Sequence, residues 1–392
     1  MRKISILILC IITVLVPTLT LSSSAEENVS ASQLTLDKDG LNLEVKSAYL
    51  LEAKTGTVLY SQNPLEASSV ASVTKIMTLL LVAEALSDGI INLEQEVYIS
   101  DYAASMGGSQ VFLEEGEKMS VEELIKCTVI ASANDAAVAL AEQVSGSESA
   151  FVKKMNARAE ELGLKNTAFE NTTGLDDTTV NHYSCAEDVA IMSRELIKHD
   201  IILKYSSMWQ DTIRNGEFTL TNTNRLVRYY EGCNGLKTGS TDKAGYCVST
   251  TAKRGGMQLV AVIIGAPTRD ERNAAARELL DYGFANFSLK EFPSEFIENV
   301  PVWGGTSDLA PIYSGGFEIV INKENATKIE AEYEIPDHLT APVSDGETVG
   351  KIIFTLNGQK IGECDIYCGS DVAKIGFFEL FYRMLMRIVS GV

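Results

Sequence analysis

Histidine is scarce in this 392-residue chain: His182, His199 and His338 are all there is. None is spaced with a cysteine as zinc ligands are, so no metal or cofactor is expected. Cysteine is sparse too. Cys10 falls in the N-terminal apolar run, leaving Cys127, Cys185, Cys233, Cys247, Cys364 and Cys368. An even number permits disulfides, but the density is too low for a disulfide scaffold. Cys364 and Cys368 would share a strand face, too far apart to bridge without a turn. Positive charge is also short, with 33 Lys and Arg against 53 Asp and Glu and a formal charge of −20. That balance repels polyphosphate backbones, so no nucleic-acid partner is expected. No phosphate-loop glycine pattern follows a strand.

What is present begins with "MRKISILILCIITVLVPTLTLSSSA". Arg2 and Lys3, an apolar run and a small-residue end at Ala25 read as a cleaved secretory signal over residues 1–25. The mature chain is then expected to be secreted. "SAYLLEAKTGTVLYSQN" reads as a hairpin around Lys54-Thr55-Gly56. A helical pattern runs from Ser72 to Ser87. "SVEELIKCTVIAS" opens on Ser120 and Glu123, a capping box, and two more helices follow in "DAAVALAEQVSG" and "ESAFVKKMNARAEELG". Near residues 225–265 strands return, joined at Gly255-Gly256, and "RDERNAAARELLDYGFANF" is a long helix. Helices between early and late strands indicate an α+β arrangement, an antiparallel sheet with a helical cluster. Short β-rich runs with Gly, Pro and Asp turns then indicate a small all-β domain.

The division expected is therefore 26–290 for the α+β domain, 291–372 for the β-rich domain and 373–392 for a terminal helix. In "KIGFFELFYRMLMRIV", Glu379, Arg383 and Arg387 form one polar stripe and apolar residues cover the rest. About 15 residues is short for a membrane span, which needs about 20. The pattern suits a helix lying in the membrane interface.

Three short motifs carry chemistry. In "ASVTKIMT", Ser72 and Lys75 lie one turn apart at a helix start, on one face. Lysine serves as a base for serine only if its pKa falls, which burial and a second cation both promote. "GLKTGSTDKAGY" supplies that cation as Lys237, followed by Thr238 and Gly239, where glycine permits close approach to the strand. Between them, "IASANDAAVAL" places Ser132 and Asn134 at an interhelical turn, where both are also ordinary cap residues. Each motif alone is weak, the first being equally an N-cap serine with a surface lysine. Their order, about 60 and then about 105 residues apart, matches the S-x-x-K, S-D-N, K-T-G set of β-lactamases and penicillin-binding proteins. Here the middle element is Ser-Ala-Asn.

The chain resembles the low-molecular-mass penicillin-binding proteins of the serine-type D-alanyl-D-alanine carboxypeptidase family. "GSQVFLEEGE", "FVKKMNARAEELGLKNTAFENTTGL" and the three motifs extend the likeness over about residues 45–287. The β-rich tail and terminal helix resemble that family's stalk and anchor more weakly. The resemblance implies a nucleophile at Ser72, its base at Lys75, and proton relay toward the leaving group at Ser132. Asn134 would bind the substrate's peptide. Lys237 and Thr238 would hold the terminal carboxylate, and Lys237 would keep Lys75 neutral. Backbone N–H groups of Ser72 and of Ser240, after Gly239, would form the oxyanion hole. Arg272, rather than Arg269, fits a carboxylate partner. Implied partners are peptidoglycan pentapeptide stems, with β-lactams as covalent inhibitors.

Rival readings differ in their residues. A histidine triad finds no Gly-x-Ser-x-Gly elbow around Ser72. A class A β-lactamase would need a deacylating glutamate, and Glu170-Asn171 is the nearest pair, in a carboxypeptidase-like stretch. An endopeptidase on cross-links would use the same residues. A non-catalytic wall-binding or β-lactam-sensing module would not need Ser72, Lys75, Ser132, Asn134 and Lys237 all intact.

Overall fold

The segment Ser47–Glu52 is buried along its whole length, which suits the near-continuous apolar run in "SAYLLE". Successive side chains of a strand point to opposite faces. Tyr49 and Leu51 accordingly join one core, and Ala48 and Leu50 another. The strand Met257–Ala266 divides the same way, with Val260, Val262 and Ile264 on the first face and Leu259, Ala261 and Ile263 on the second. A computed structural model describes residues 41–390, apart from 42, 178 and 326–328. The expected signal at 1–25 lies outside the described residues.

The sheet between these two cores has five antiparallel strands, in the order Val58–Gln62, Ser47–Glu52, Met257–Ala266, Gly245–Arg254, Cys233–Thr241. N- and C-terminal strands thus share one sheet. One face packs on a helical cluster that includes Lys75–Ser87, Val121–Ile130 and Asn134–Ser145. The other face is covered by Arg269–Asn286. The capping box is present: Ser120 accepts from the Glu123 N–H, and the Glu123 carboxylate accepts from the Ser120 N–H.

The helix expected from Ser72 begins later. Ala71–Thr74 is a 3₁₀ turn and the α-helix runs Lys75–Ser87. Ala71, the first residue of that turn, has φ +48°, and the N-cap of the α-helix is Thr74, so Ser72 does not cap it. Likewise Ser132 (φ +63°) lies in the turn before Asn134–Ser145, whose N-cap is Ala133.

Beyond Asn286, Phe287–Phe292 pairs with Phe317–Asn322. A six-stranded sheet follows, ordered Ile329–Glu334, Thr348–Leu356, Gln359–Cys368, Leu309–Ser314, Phe296–Trp303, Leu339–Thr340. It closes over its own small core around Ile312, Ile352, Phe354 and Ile366. The architecture is α+β followed by an all-β unit. All six cysteines in the described residues are free thiols. The helix Phe377–Ser390 leaves Phe377, Phe378, Phe381 and Ile388 exposed. Arg383 ties it to the all-β unit through Asp308 and the Thr306 carbonyl. No described helix is long and apolar enough to cross a membrane.

Candidate active site

Lys75 is fully buried at the first turn of its helix, which is unusual for a lysine and demands acceptors. Its Nζ lies 2.9 Å from Ser72 Oγ, 2.5 Å from Asn134 Oδ1 and 2.8 Å from the Thr173 carbonyl oxygen. The two carbonyl oxygens can only accept, so Nζ donates to both. In the neutral form of the amine its lone pair is left to the Ser72 hydroxyl.

Electrostatics agree with that neutral form. Burial is the main cause that pushes Lys75 well below the usual lysine range, and the nearby Lys237 charge adds to it. Asp135 opposes both, but its carboxylate is engaged by the Val111 and Leu113 N–H groups at 3.1 Å. Lys237 is also buried, and desolvation with Arg272 lowers it to about 7. Its Nζ donates to Ser132 Oγ at 2.7 Å and to the Thr238 carbonyl at 2.9 Å.

The edge strand Cys233–Thr241 brings the third motif against the 3₁₀ turn. A Cβ on Gly239 would stand 2.8 Å from the Ser72 nitrogen and 2.8 Å from the Val70 oxygen. Only glycine lets the strand approach the Ser72 backbone this closely. A cavity of about 630 Å³ opens there, lined by Ser72, Ser132, Thr238, Gly239, Ser240 and Arg272. Lys75, Asn134 and Lys237 stand behind that wall, buried. Arg272 is buried in its helix and desolvation lowers it to about 10; Arg269 also lines the cavity but is exposed. No group of residues able to hold a metal ion occurs among the described residues.

Residues 31–268 match the D-alanyl-D-alanine carboxypeptidase family, and residues 290–374 match the C-terminal domain of penicillin-binding protein 5. The chain belongs to the D-alanyl-D-alanine carboxypeptidase family. It is 42% identical over 349 residues to D-alanyl-D-alanine carboxypeptidase DacF of Bacillus subtilis, covering 87% of this chain and 89% of that one. Against DacC of Escherichia coli it is 32% identical, with 88% of each chain covered. Among solved structures, penicillin-binding protein 5 of Haemophilus influenzae matches with a TM-score of 0.74 at 31% identity, over 85% of this chain and 99% of that one. A Listeria monocytogenes penicillin-binding protein in its ampicillin-bound form matches with a TM-score of 0.57 at 31% identity, over 62% and 98%.

In this carboxypeptidase-family chain both polar ends of Asn134 are already engaged, Oδ1 by Lys75 and Nδ2 by the Gly107 carbonyl at 2.7 Å. The residue thus ties Lys75 to the loop at 107–113. Motif reading missed the turn at 171–175, which presents the Thr173 carbonyl to Lys75. Asn171 Oδ1 accepts from the Gly174 N–H at 2.7 Å, and Asn171 Nδ2 donates to the Leu175 carbonyl at 2.7 Å. Its sequence signal is the Asn-Thr-Thr-Gly string in "FENTTGL". Thr223, Arg225, Trp209 and Tyr229 also line the cavity and carry no motif. Glu170 does not line it, and its carboxylate accepts from the Val180 N–H at 2.8 Å.

Proposed function

We propose that this chain removes the terminal D-alanine from peptidoglycan stem peptides through an acyl-enzyme on Ser72. The observation that carries the assignment is the buried Lys75 amine, 2.9 Å from Ser72 Oγ with carbonyls on its other sides. Lys75 takes the hydroxyl proton as Oγ attacks the carbonyl carbon of the penultimate D-alanine. The oxyanion meets the backbone N–H groups of Ser72 and Ser240. The C–N bond breaks, and the amine leaves with a proton delivered through Ser132. Lys237, Thr238 and Arg272 hold the terminal carboxylate. Water activated by Lys75 then splits the ester, freeing the shortened stem and Ser72. A β-lactam is attacked in the same way but keeps its leaving group tethered, so the adduct clears slowly.

The test pairs a peptide ending in D-Ala-D-Ala with a labelled penicillin. The protein is expected to release D-alanine and to form a long-lived adduct, and Ser72→Ala to lose both by at least about 10³-fold. Fast penicillin turnover would instead indicate a β-lactamase, which the position of Glu170 outside the cavity disfavours. No adduct at all would leave a non-catalytic module.

The same reading includes export by a signal at 1–25, a catalytic domain at 26–290, a β-rich domain at 291–372 and a membrane-surface helix at 373–392. The two matched family ranges support the middle division. Exposed Phe377, Phe378, Phe381 and Ile388 support the last, since such an apolar face suits lipid. Deleting residues 375–392 is expected to release the mature protein from membrane pellets; unchanged sedimentation refutes the anchor.

A further inference from the structure

The cavity is larger and more positive than a terminal D-alanine requires. A methyl side chain fills little of about 630 Å³. Three guanidinium groups, Arg225, Arg269 and Arg272, line it in a chain whose formal charge is −20. Among the described residues none of the three forms an ion pair; Arg272 donates only to the neutral Asn273 amide. Like charges left together without a carboxylate repel, and the cost is recovered when an anion binds. One carboxylate matches Arg272, which leaves Arg225 and Arg269.

Their position decides which part of a substrate they meet. On the reading above, on which this inference rests, Thr238 holds the terminal carboxylate. Thr238 Oγ1 donates to Thr223 Oγ1 at 2.8 Å, and Thr223, Arg225, Trp209 and Tyr229 continue the cavity wall from there. That is the side from which the amine departs. The wall is stiffened by Arg228, whose guanidinium lies over the rings of Trp209 (5.2 Å) and Tyr229 (5.5 Å). The Trp209 indole N–H is buried without a hydrogen-bond partner, so a polar donor stands unused in this wall.

We propose that the leaving-group side of the cleft binds a D-amino acid larger than alanine through a second carboxylate on its side chain, held by Arg225 and Arg269, and that the chain hydrolyses D-alanyl amides of such residues. The chemical step is unchanged: Ser72 Oγ bonds to the D-alanyl carbonyl, the C–N bond breaks, the anionic amine leaves protonated, and water completes hydrolysis.

Three synthetic peptides test this, ending in D-Ala-D-Ala, D-Ala-D-norleucine and D-Ala-D-2-aminoadipate. The last two match in length and differ in the distal methyl or carboxylate. The expected kcat/KM for aminoadipate exceeds that for norleucine at least about 10-fold, and added salt shrinks the ratio. In the double variant Arg225→Gln with Arg269→Gln the ratio falls to about 2 or less. A ratio within one protein does not depend on how much of it is folded. Equal rates for the two long peptides in the unaltered protein, or a ratio unchanged in the double variant, overturn the proposal. Failure to cleave D-Ala-D-Ala itself overturns the carboxypeptidase reading instead.

Discussion

The base proposed at Lys75 depends on a balance between two buried amines. Desolvation lowers both, with the Lys237 charge adding to the effect at Lys75 and the Arg272 charge adding to it at Lys237. Acylation needs Lys75 neutral, so activity rises with pH as that proton leaves. The proposed hold on the substrate carboxylate needs Lys237 charged, so activity is expected to fall again as Lys237 deprotonates, from about 7 in the free protein. The profile of kcat/KM is therefore bell-shaped, and its limbs belong to the coupled pair. Lys237→Arg keeps a charge that no accessible pH removes. It is expected to move the alkaline limb upward by at least about one pH unit while lowering the maximum. A pH series on D-alanine release checks this; an unmoved limb means that Lys237 does not set it.

A single atom decides whether two elements meet. The strand Cys233–Thr241 lies on the 3₁₀ turn Ala71–Thr74 because Gly239 has no side chain to hold them apart. In Gly239→Ala the added carbon meets backbone on both sides, Ser72 N and Val70 O at 2.8 Å, and neither can swing away. The turn or the strand must shift, moving Ser72 off Lys75 and distorting the two proposed oxyanion donors. Misplacement by about 1 Å costs on the order of 10²-fold in rate. Penicillin acylation of this variant is expected to slow by about that factor, with near-UV circular dichroism unchanged. Wild-type acylation would show that the approach does not matter.

The two structural units share little. Val320 of the C-terminal unit joins the core around Phe287, and exposed Lys54 pairs with Glu291 and Glu318 across the same junction. The all-β core around Ile312 and Ile366 is separate, and the last helix buries little apolar surface. Removal of residues 377–392 should therefore shift Tm by less than about 2 °C, whereas removal of 293–392 uncovers Phe287 and should lower it by at least about 3 °C. Both truncated proteins should still be acylated by penicillin, since every lining residue of the cavity precedes residue 293. A calorimetric scan and a gel-based acylation assay check both; loss of acylation on removing 293–392 would show that the β unit supports the site.

Local pattern determined much of this protein. Alternation and apolar runs mark the strands, the Ser120–Glu123 box marks a helix start, and three short motifs carry eight candidate site residues. These are signals within a few residues of chain, where geometry follows from covalent spacing. Tertiary structure decided the rest, because it depends on contacts between distant segments. The Thr173 carbonyl on Lys75, the engagement of both ends of Asn134, and the gathering of Arg225, Arg269 and Arg272 each join segments far apart in sequence. Burial of Lys75 is of the same kind. A lysine in "ASVTKIMT" reads as a surface charge until a sheet and a helical cluster close around it, and that enclosure favours the neutral amine.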